Sequence, residues 1–120
     1  MTEPAPTERR EGQTRTAISE GVVALFKDFY GTGPTQAKTY VVEDLVVCLL
    51  RGGFTRVEQT LREAGRGHAV AVQRVEFQEV MRDRFVAVVE RATGRRVVGF
   101  MASGQQEPDM LCEVFLLAPD

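Results

Sequence analysis

The sequence predicts an α+β domain of two layers, in which three helices pack against a four-stranded, largely antiparallel sheet. Three observations predict this fold. Apolar residues recur with a helical period in two long segments, a capping motif marks a third helix, and two pairs of segments rich in β-branched residues are typical of hairpins. Their order is helix, hairpin, helix, helix, hairpin. At 120 residues, the chain is long enough for one hydrophobic core and too short for a second domain.

The first sixteen residues carry two prolines, six charged side chains and almost no apolar ones. Such a segment buries too little surface to offset the entropy of ordering it. We therefore predict a disordered tail over residues 1–16 and a single domain over residues 17–120. The first helix is expected from Ile18, because apolar residues collect on one helical face from there on. These residues are Ile18, Val22, Leu25, Phe26 and Phe29.

The loop YGTGPT, residues 30–35, follows this helix. Gly31 is suited to the left-handed C-terminal cap, and Pro34 cannot continue the helix. Glycine loops that bind phosphate lead into a helix N-terminus, whereas this loop leaves a C-terminus, where the helix dipole is negative. We interpret the loop as a turn, with ligand binding by Gly31, Gly33 and Pro34 as the alternative.

The two predicted hairpins cover residues 37–50 and 95–117. In the first, strands 37–42 and 45–50 are separated only by Glu43 and Asp44. Its second strand is apolar on both faces, so we place it at the centre of the sheet, with a further layer on its outer face from helices or from another subunit. The second hairpin joins strands 95–102 and 110–117 through the turn-rich segment SGQQEPD.

Between the hairpins, Thr55 and Glu58 match the capping box and predict a short helix over residues 56–64. A long helix is predicted over residues 68–92, ended by Gly94. Its main apolar face and a second, roughly opposite cluster of valines follow from the helical period. The second cluster consists of Val72, Val75, Val86 and Val89. It must meet either the first helix or the same helix of another subunit, and we predict the latter, as a homodimer.

Arg74 falls on the main apolar face of the long helix, close to Val70, Phe77 and Met81. An arginine in such a place is paired, reaches an edge of the core, or binds an anion. We expect an ion pair with Glu43, Glu113 or Glu58, and a ligand contact is the alternative.

Few residues of the chain suit catalysis. The single histidine, His68, has no recognisable partners for a triad, and the two cysteines lie in apolar runs, typical of small buried hydrophobes in a reducing compartment. The sequence holds no HxxxH or CxxC pattern, so we predict no metal site, no cofactor and no enzymatic activity.

The composition also limits the partners. A net charge of −2 disfavours nucleic-acid binding, for which Tyr40 and Phe100 are the candidate stacking platforms. With no apolar run of about 20 residues and a polar, charged beginning, the chain is expected to be cytoplasmic and not inserted in a membrane.

Several motifs together resemble a known family. They are YGTGPT, the hairpin end LVVCLLRGGFTRVEQTL, the segment VAVQRVEF, the turn TGRRV and the closing EVFLL. From about residue 18 to residue 117 they resemble a family of small bacterial and archaeal domains, the Na+-translocating membrane potential-generating system MpsC family. The matching positions are Gly31, Gly33 and Pro34; Thr55, Glu58 and Leu61; Arg74; and Thr93, Gly94 and Arg95.

The resemblance implies a soluble accessory protein, linked to a membrane system that supports membrane potential or inorganic-carbon supply, with a protein of that system as a possible partner. Family members often carry a basic residue between the two turn glycines, and this chain has Thr32 there. That departure weakens an anion-binding role for the loop.

Overall fold

The computed structural model describes residues 5–120, and it has the predicted α+β fold. The elements follow the order α-β-β-α-α-β-β. They are α1 (Pro6–Phe29), β1 (Gln36–Val42), β2 (Leu45–Arg51), α2 (Arg56–Glu63), α3 (Gly67–Thr93), β3 (Val97–Gln106) and β4 (Asp109–Leu117).

The four strands form one sheet in the order β1-β2-β4-β3, and every neighbouring pair is antiparallel. β2 therefore lies inside the sheet, as its apolar composition predicts. α1 packs over β1, α3 packs over β3, and the two long helices contact each other. The core fills the space between the helices and the inward-facing side chains of the strands, and Ile18, Val46, Phe85 and Phe115 are fully buried in it.

α1 begins at Pro6, so the prediction of disorder is wrong for residues 6–16; residues 1–4 lie outside the described residues. Pro6 occupies the first turn, where its fixed φ suits a helix, and the carboxylate of Glu8 accepts a hydrogen bond from the backbone N–H of Ala5 (3.3 Å). Ile18 and Val22 anchor the following turns in the core. Once a helix is anchored, each further residue adds a hydrogen bond at low entropic cost, so burial is not needed for these turns to form.

The second hairpin is longer than predicted. β3 extends to Gln106, where strand 95–102 was expected to end at residue 102, and only Glu107 and Pro108 turn the chain. The polar residues from Ser103 onward pair in register with the beginning of β4. β3 is an edge strand, and an edge strand tolerates polar side chains and glycine because one of its sides is open to water.

The predicted dimer face of four valines is not a continuous exposed surface. Val89 is fully buried in the core and Val86 is partly buried against it, whereas the exposed fractions of Val72 and Val75 are 47% and 57%. α1 lies across this part of α3, so closely that a Cβ at Gly21 would stand 2.7 Å from a methyl of Val88. The buried half of the cluster, Val86 and Val89, belongs to the core that α1 also lines.

The capping box at the start of α2 is formed as predicted. The hydroxyl of Thr55 accepts a hydrogen bond from the backbone N–H of Glu58 (3.0 Å), and the Glu58 carboxylate accepts one from the N–H of Thr55 (2.9 Å). We expect Thr55→Ala to lower the free energy of unfolding by about 1 kcal/mol, because one orphan N–H of the helix loses its acceptor. Urea denaturation checks this, with Thr60→Ala on the exposed side of the same helix as the control. Equal losses in the two variants would contradict a specific role for the cap.

Candidate functional site

Arg74 joins four elements at one end of the domain. It stands on α3, and its guanidinium reaches Glu58 on α2 and Asp109 at the beginning of β4. Nε donates to Oε2 of Glu58 (2.8 Å), and Nη1 donates to Oδ1 of Asp109 (2.6 Å). The hydroxyl of Tyr30, just after α1, also donates to Glu58. Of the three predicted ion-pair partners, the structure selects Glu58, and we call this group of four side chains the Arg74 cluster.

The Arg74 cluster is shielded from water. The side chain of Glu58 is fully buried, and those of Asp109 and Arg74 expose only 11% and 18% of their surfaces. The guanidinium also lies 4.5 Å from the centre of the Phe54 ring, a cation–π contact. Buried charges of this kind are tolerated only when they are paired and hydrogen-bonded, and here they are.

The pKa directions in the Arg74 cluster follow from this pairing. Burial on its own would raise the pKa of Glu58, but hydrogen bonds from Arg74, Tyr30 and the Thr55 backbone outweigh it and hold the pKa below its usual range. Burial likewise lowers the pKa of Arg74, yet the hydrogen bonds to Glu58 and Asp109 raise it above its usual range. Burial and the neighbouring Glu58 raise the pKa of the Tyr30 hydroxyl. Both partners of the ion pair are therefore fixed in their charged forms.

The loop at residues 30–35 packs against the segment that connects β2 to α2. The backbone N–H of Thr35 donates to the carbonyl of Arg51 (2.8 Å). Gly53 has a φ of +98°, and a Cβ there would lie 2.9 Å from the carbonyl oxygen of Gly33 and 3.1 Å from Cα of Pro34. Only glycine fits such an approach.

The predicted ligand-binding residues are only partly brought together. Pro34 and Arg74 line one small cavity of about 30 Å³, which is room for a water molecule. Gly31 lines a different, shallow surface depression beside Phe54 and Gln73. The Arg74 cluster also holds two carboxylates against one guanidinium, an environment that repels an anion.

The sheet face opposite α1 and α3 carries a band of apolar side chains. Along the strands, inward residues such as Thr39 and Val46 alternate with outward residues such as Tyr40 and Leu45, whose exposed fractions are 45% and 40%. The outward rows follow the register, in which Tyr40 pairs with Val47, Val47 with Val114 and Val114 with Met101. We call the following set the open sheet face: Tyr40, Val42, Leu45, Val47, Leu49, Met101, Met110, Cys112, Val114 and Leu116.

Two buried polar side chains between α3 and the sheet were not foreseen. Gln78 on α3 and Glu113 on β4 expose 6% and 0% of their surfaces. Within the described residues, neither the amide of Gln78 nor the carboxyl of Glu113 has a hydrogen-bond partner. A signal for both exists in the sequence, since Gln78 follows Val70 by eight residues on the apolar helix face and Glu113 alternates with Leu111 and Phe115.

The remaining candidates for chemistry do not share one surface of the domain. His68 is exposed in the first turn of α3. Cys48 and Cys112 are unbridged, and burial raises the pKa of Cys48 to about 12 and that of Cys112 above its usual value. Phe100 packs between Phe85 and Phe115 on the helix side of the sheet, so it does not share a surface with Tyr40. Residues 5–120 contain no group of three metal-ligating side chains.

The fold and these surfaces define a small α+β protein with a one-sided helical layer, a locked charge cluster and an apolar open sheet face. The chain belongs to the family described as Na+-translocating membrane potential-generating system (MpsC), whose model matches residues 10–119. Curated proteins and solved structures yielded no match. Along the described part of the chain, no helix has the length and apolarity that crossing a bilayer requires.

Proposed function

We propose that this chain is a non-catalytic accessory or regulatory module of a membrane-potential-generating system, acts in the cytoplasm, and works as a homodimer that docks through the open sheet face. The main support for this proposal is the exposed apolar surface of the open sheet face. Its outward side chains include Val42, Met101 and Leu116, with exposed fractions of 63%, 68% and 49%. Contiguous apolar surface of this kind marks an interaction site. Membership of the family supports the link to the membrane system.

The size of the face suits a second copy of the chain. β1 and β2 have seven residues each, so four strands at spacings of about 4.8 Å and a rise of about 3.3 Å per residue span roughly 19 by 23 Å. The longer β3 and β4 extend this area. Two copies together bury on the order of 1,000 Å², which is the lower bound for a specific interface. Sheets with apolar faces pack in this way in sandwich folds.

The charges at the two ends of the face also favour self-association. Lys38 and Arg51 lie at the basic end, and Glu43 lies at the other, acidic end, because β1 and β2 are antiparallel; the neighbouring Asp44 is already paired with Arg95. A two-fold axis in the interface, perpendicular to the strands, reverses their direction in the partner. The basic end of each copy then approaches the acidic end of the other, which favours this orientation over the parallel one.

The absence of catalysis is part of the proposal, and the chemistry of the candidate groups supports it. The Arg74 cluster is saturated by its own ion pairs, and a thiol with the raised pKa of Cys48 is a poor nucleophile. Anion binding at Arg74 is disfavoured, because the guanidinium already donates hydrogen bonds to Glu58 and Asp109.

We expect the wild-type chain to be a dimer at micromolar concentration and Leu116→Glu to make it monomeric, because each interface would then bury two unpaired carboxylates. Size-exclusion chromatography with light scattering measures this. Val80→Glu is the matched control, since Val80 is 73% exposed on α3 and outside the open sheet face. It should leave the dimer intact.

A third variant, Val75→Glu, separates this interface from the α3 valine surface predicted from the sequence. If Val75→Glu dissociates the dimer and Leu116→Glu does not, the interface lies on α3. If the wild-type chain is still a monomer at about 100 µM, a hundred times the concentration used above, the homodimer proposal is wrong. Thermal melts of each variant exclude unfolding as the cause.

A further inference from the structure

A cleft of about 560 Å³ separates the exposed side of α3 from the edge strand β3. Its volume lies in the range of small-molecule sites. Apolar walls come from Val75 on α3, from Phe100 and Met101 on β3, and from Leu111 on β4. The cleft adjoins the cavity of about 30 Å³ described above, with which it shares Arg74, Gln78 and Leu111, and that cavity has room only for water.

Gln78 is a buried polar residue in the wall of the cleft. Its side chain lines the cleft, and only 6% of the residue is exposed. Within the described residues, neither its Nε2 donor nor its Oε1 acceptor has a hydrogen-bond partner. A buried amide without partners costs free energy unless something binds it. Gln78 therefore offers a donor and an acceptor, side by side, to the cleft, and the carboxyl of Glu113 is their polar neighbour.

Glu113 lies behind Gln78 and reinforces the same chemistry. Ala102, which pairs with Glu113 across β3 and β4, is itself a wall of the cleft. Burial raises the pKa of Glu113 to about 8, and the neighbouring Gln78 amide offsets only part of this. At neutral pH the base of the cleft is thus uncharged. Glu79 and Arg82 at its mouth carry opposite charges, and the third charged residue of its lining, Arg74, is already paired with Glu58 and Asp109. The cleft therefore has no net preference for an ion.

We propose that this cleft binds a small uncharged molecule with a flat ring and an adjoining hydrogen-bond donor and acceptor, the arrangement found in ring carboxamides and nucleobases. The ring packs between Phe100 and Leu111, and its polar edge exchanges two hydrogen bonds with the amide of Gln78. The site lies between α3 and β3 and shares only Met101 with the open sheet face, so it does not require the homodimer proposed above.

Two-dimensional amide NMR of the full chain tests the proposal with nicotinamide and uracil as probes, each titrated to 20 mM. Nicotinate, which replaces the amide by a carboxylate, and 3-methylpyridine, which lacks a hydrogen-bonding edge, are the matched negative probes. We expect nicotinamide and uracil to shift the side-chain amide signals of Gln78 and the backbone signals of Ala102 and Ser103. The negative probes should bind at least about fivefold more weakly.

Gln78→Met keeps the length of the side chain and removes both polar atoms, so it should fold and should weaken binding of nicotinamide at least about fivefold. Gln59→Met, on the exposed side of α2 and away from the cleft, is the control and should bind as the wild type does. The proposal fails if neither probe shifts the cleft signals at 20 mM, or if Gln78→Met binds nicotinamide as tightly as the wild type. Shifts confined to the open sheet face would also overturn it.

Discussion

Arg74→Met should lower the free energy of unfolding by about 3 kcal/mol or more, the loss expected when one partner of a buried ion pair is removed. Glu58 is fully buried, and its carboxylate would keep only the hydrogen bonds from Tyr30 and Thr55. Asp109 would lose its guanidinium partner as well. Methionine preserves much of the side-chain volume, so the loss reports the charge and not a cavity. Chemical denaturation at pH 7 measures it.

Arg82→Met is the matched control, because Arg82 lies two turns further along α3, is exposed, and has no ion pair with any described residue. It makes a cation–π contact with Phe100 at 5.4 Å and a long hydrogen bond of 3.5 Å to the Phe100 carbonyl. Its loss should stay below about 1 kcal/mol. Arg74→Met combined with Glu58→Gln should cost less than the two single changes added together, since the pair is coupled. If Arg74→Met were no more destabilising than Arg82→Met, the Arg74 cluster would not hold these elements together, and Arg74 would again be a candidate for ligand contact.

Local signals in the sequence predict most of the fold. The helix ends follow from Gly94 and from the Thr55–Glu58 capping box, and the first hairpin follows from the Glu43–Asp44 turn between two β-branched runs. Each of these depends on residues close together in the chain. The exception is α1, whose first turns look like a disordered segment by composition and are helical because the rest of the helix is anchored in the core.

The candidate sites were harder to predict, because they depend on pairings across the chain. Glu58 was assigned to the capping box and also considered as a partner of Arg74, and one carboxylate serves both roles. The contribution of Asp109 requires the register of β4 against β2, which no local pattern provides. The homodimer prediction follows from the helical period of α3, and that period cannot show that α1 crosses α3 at Val88 or that Val89 lies in the core.

Glu113 makes the stability of the folded chain depend on pH in the opposite sense to an ordinary carboxylate. Its pKa is raised to about 8 in the folded chain by burial, whereas an exposed glutamate has a pKa of about 4.3. Between these two values the folded state holds a proton that the unfolded state releases. The free energy of unfolding therefore falls as the pH rises through this window, and it is highest with respect to this group below a pH of about 4.

We expect the free energy of unfolding of the wild-type chain to fall by up to about 3 kcal/mol between pH 5 and pH 7 through this one group. Glu113→Gln should remove that slope, because an amide of nearly the same shape does not titrate. Cys48 and Cys112 adjoin Glu113, but their raised pKa values keep both thiols protonated throughout this range. The lowered pKa of Glu58 places its effect below the window.

Denaturation in urea at half-unit steps from pH 5 to pH 8 measures the slope. Glu79→Gln, an exposed glutamate on α3, is the control and should keep the wild-type slope. Subtracting the Glu113→Gln profile from the wild-type profile removes every contribution that the two chains share, including that of the single histidine. Parallel profiles would mean that Glu113 is ionised in the folded chain and has a partner for its charge. The uncharged base of the α3–β3 cleft would then be wrong, and a cation would become the better ligand for it.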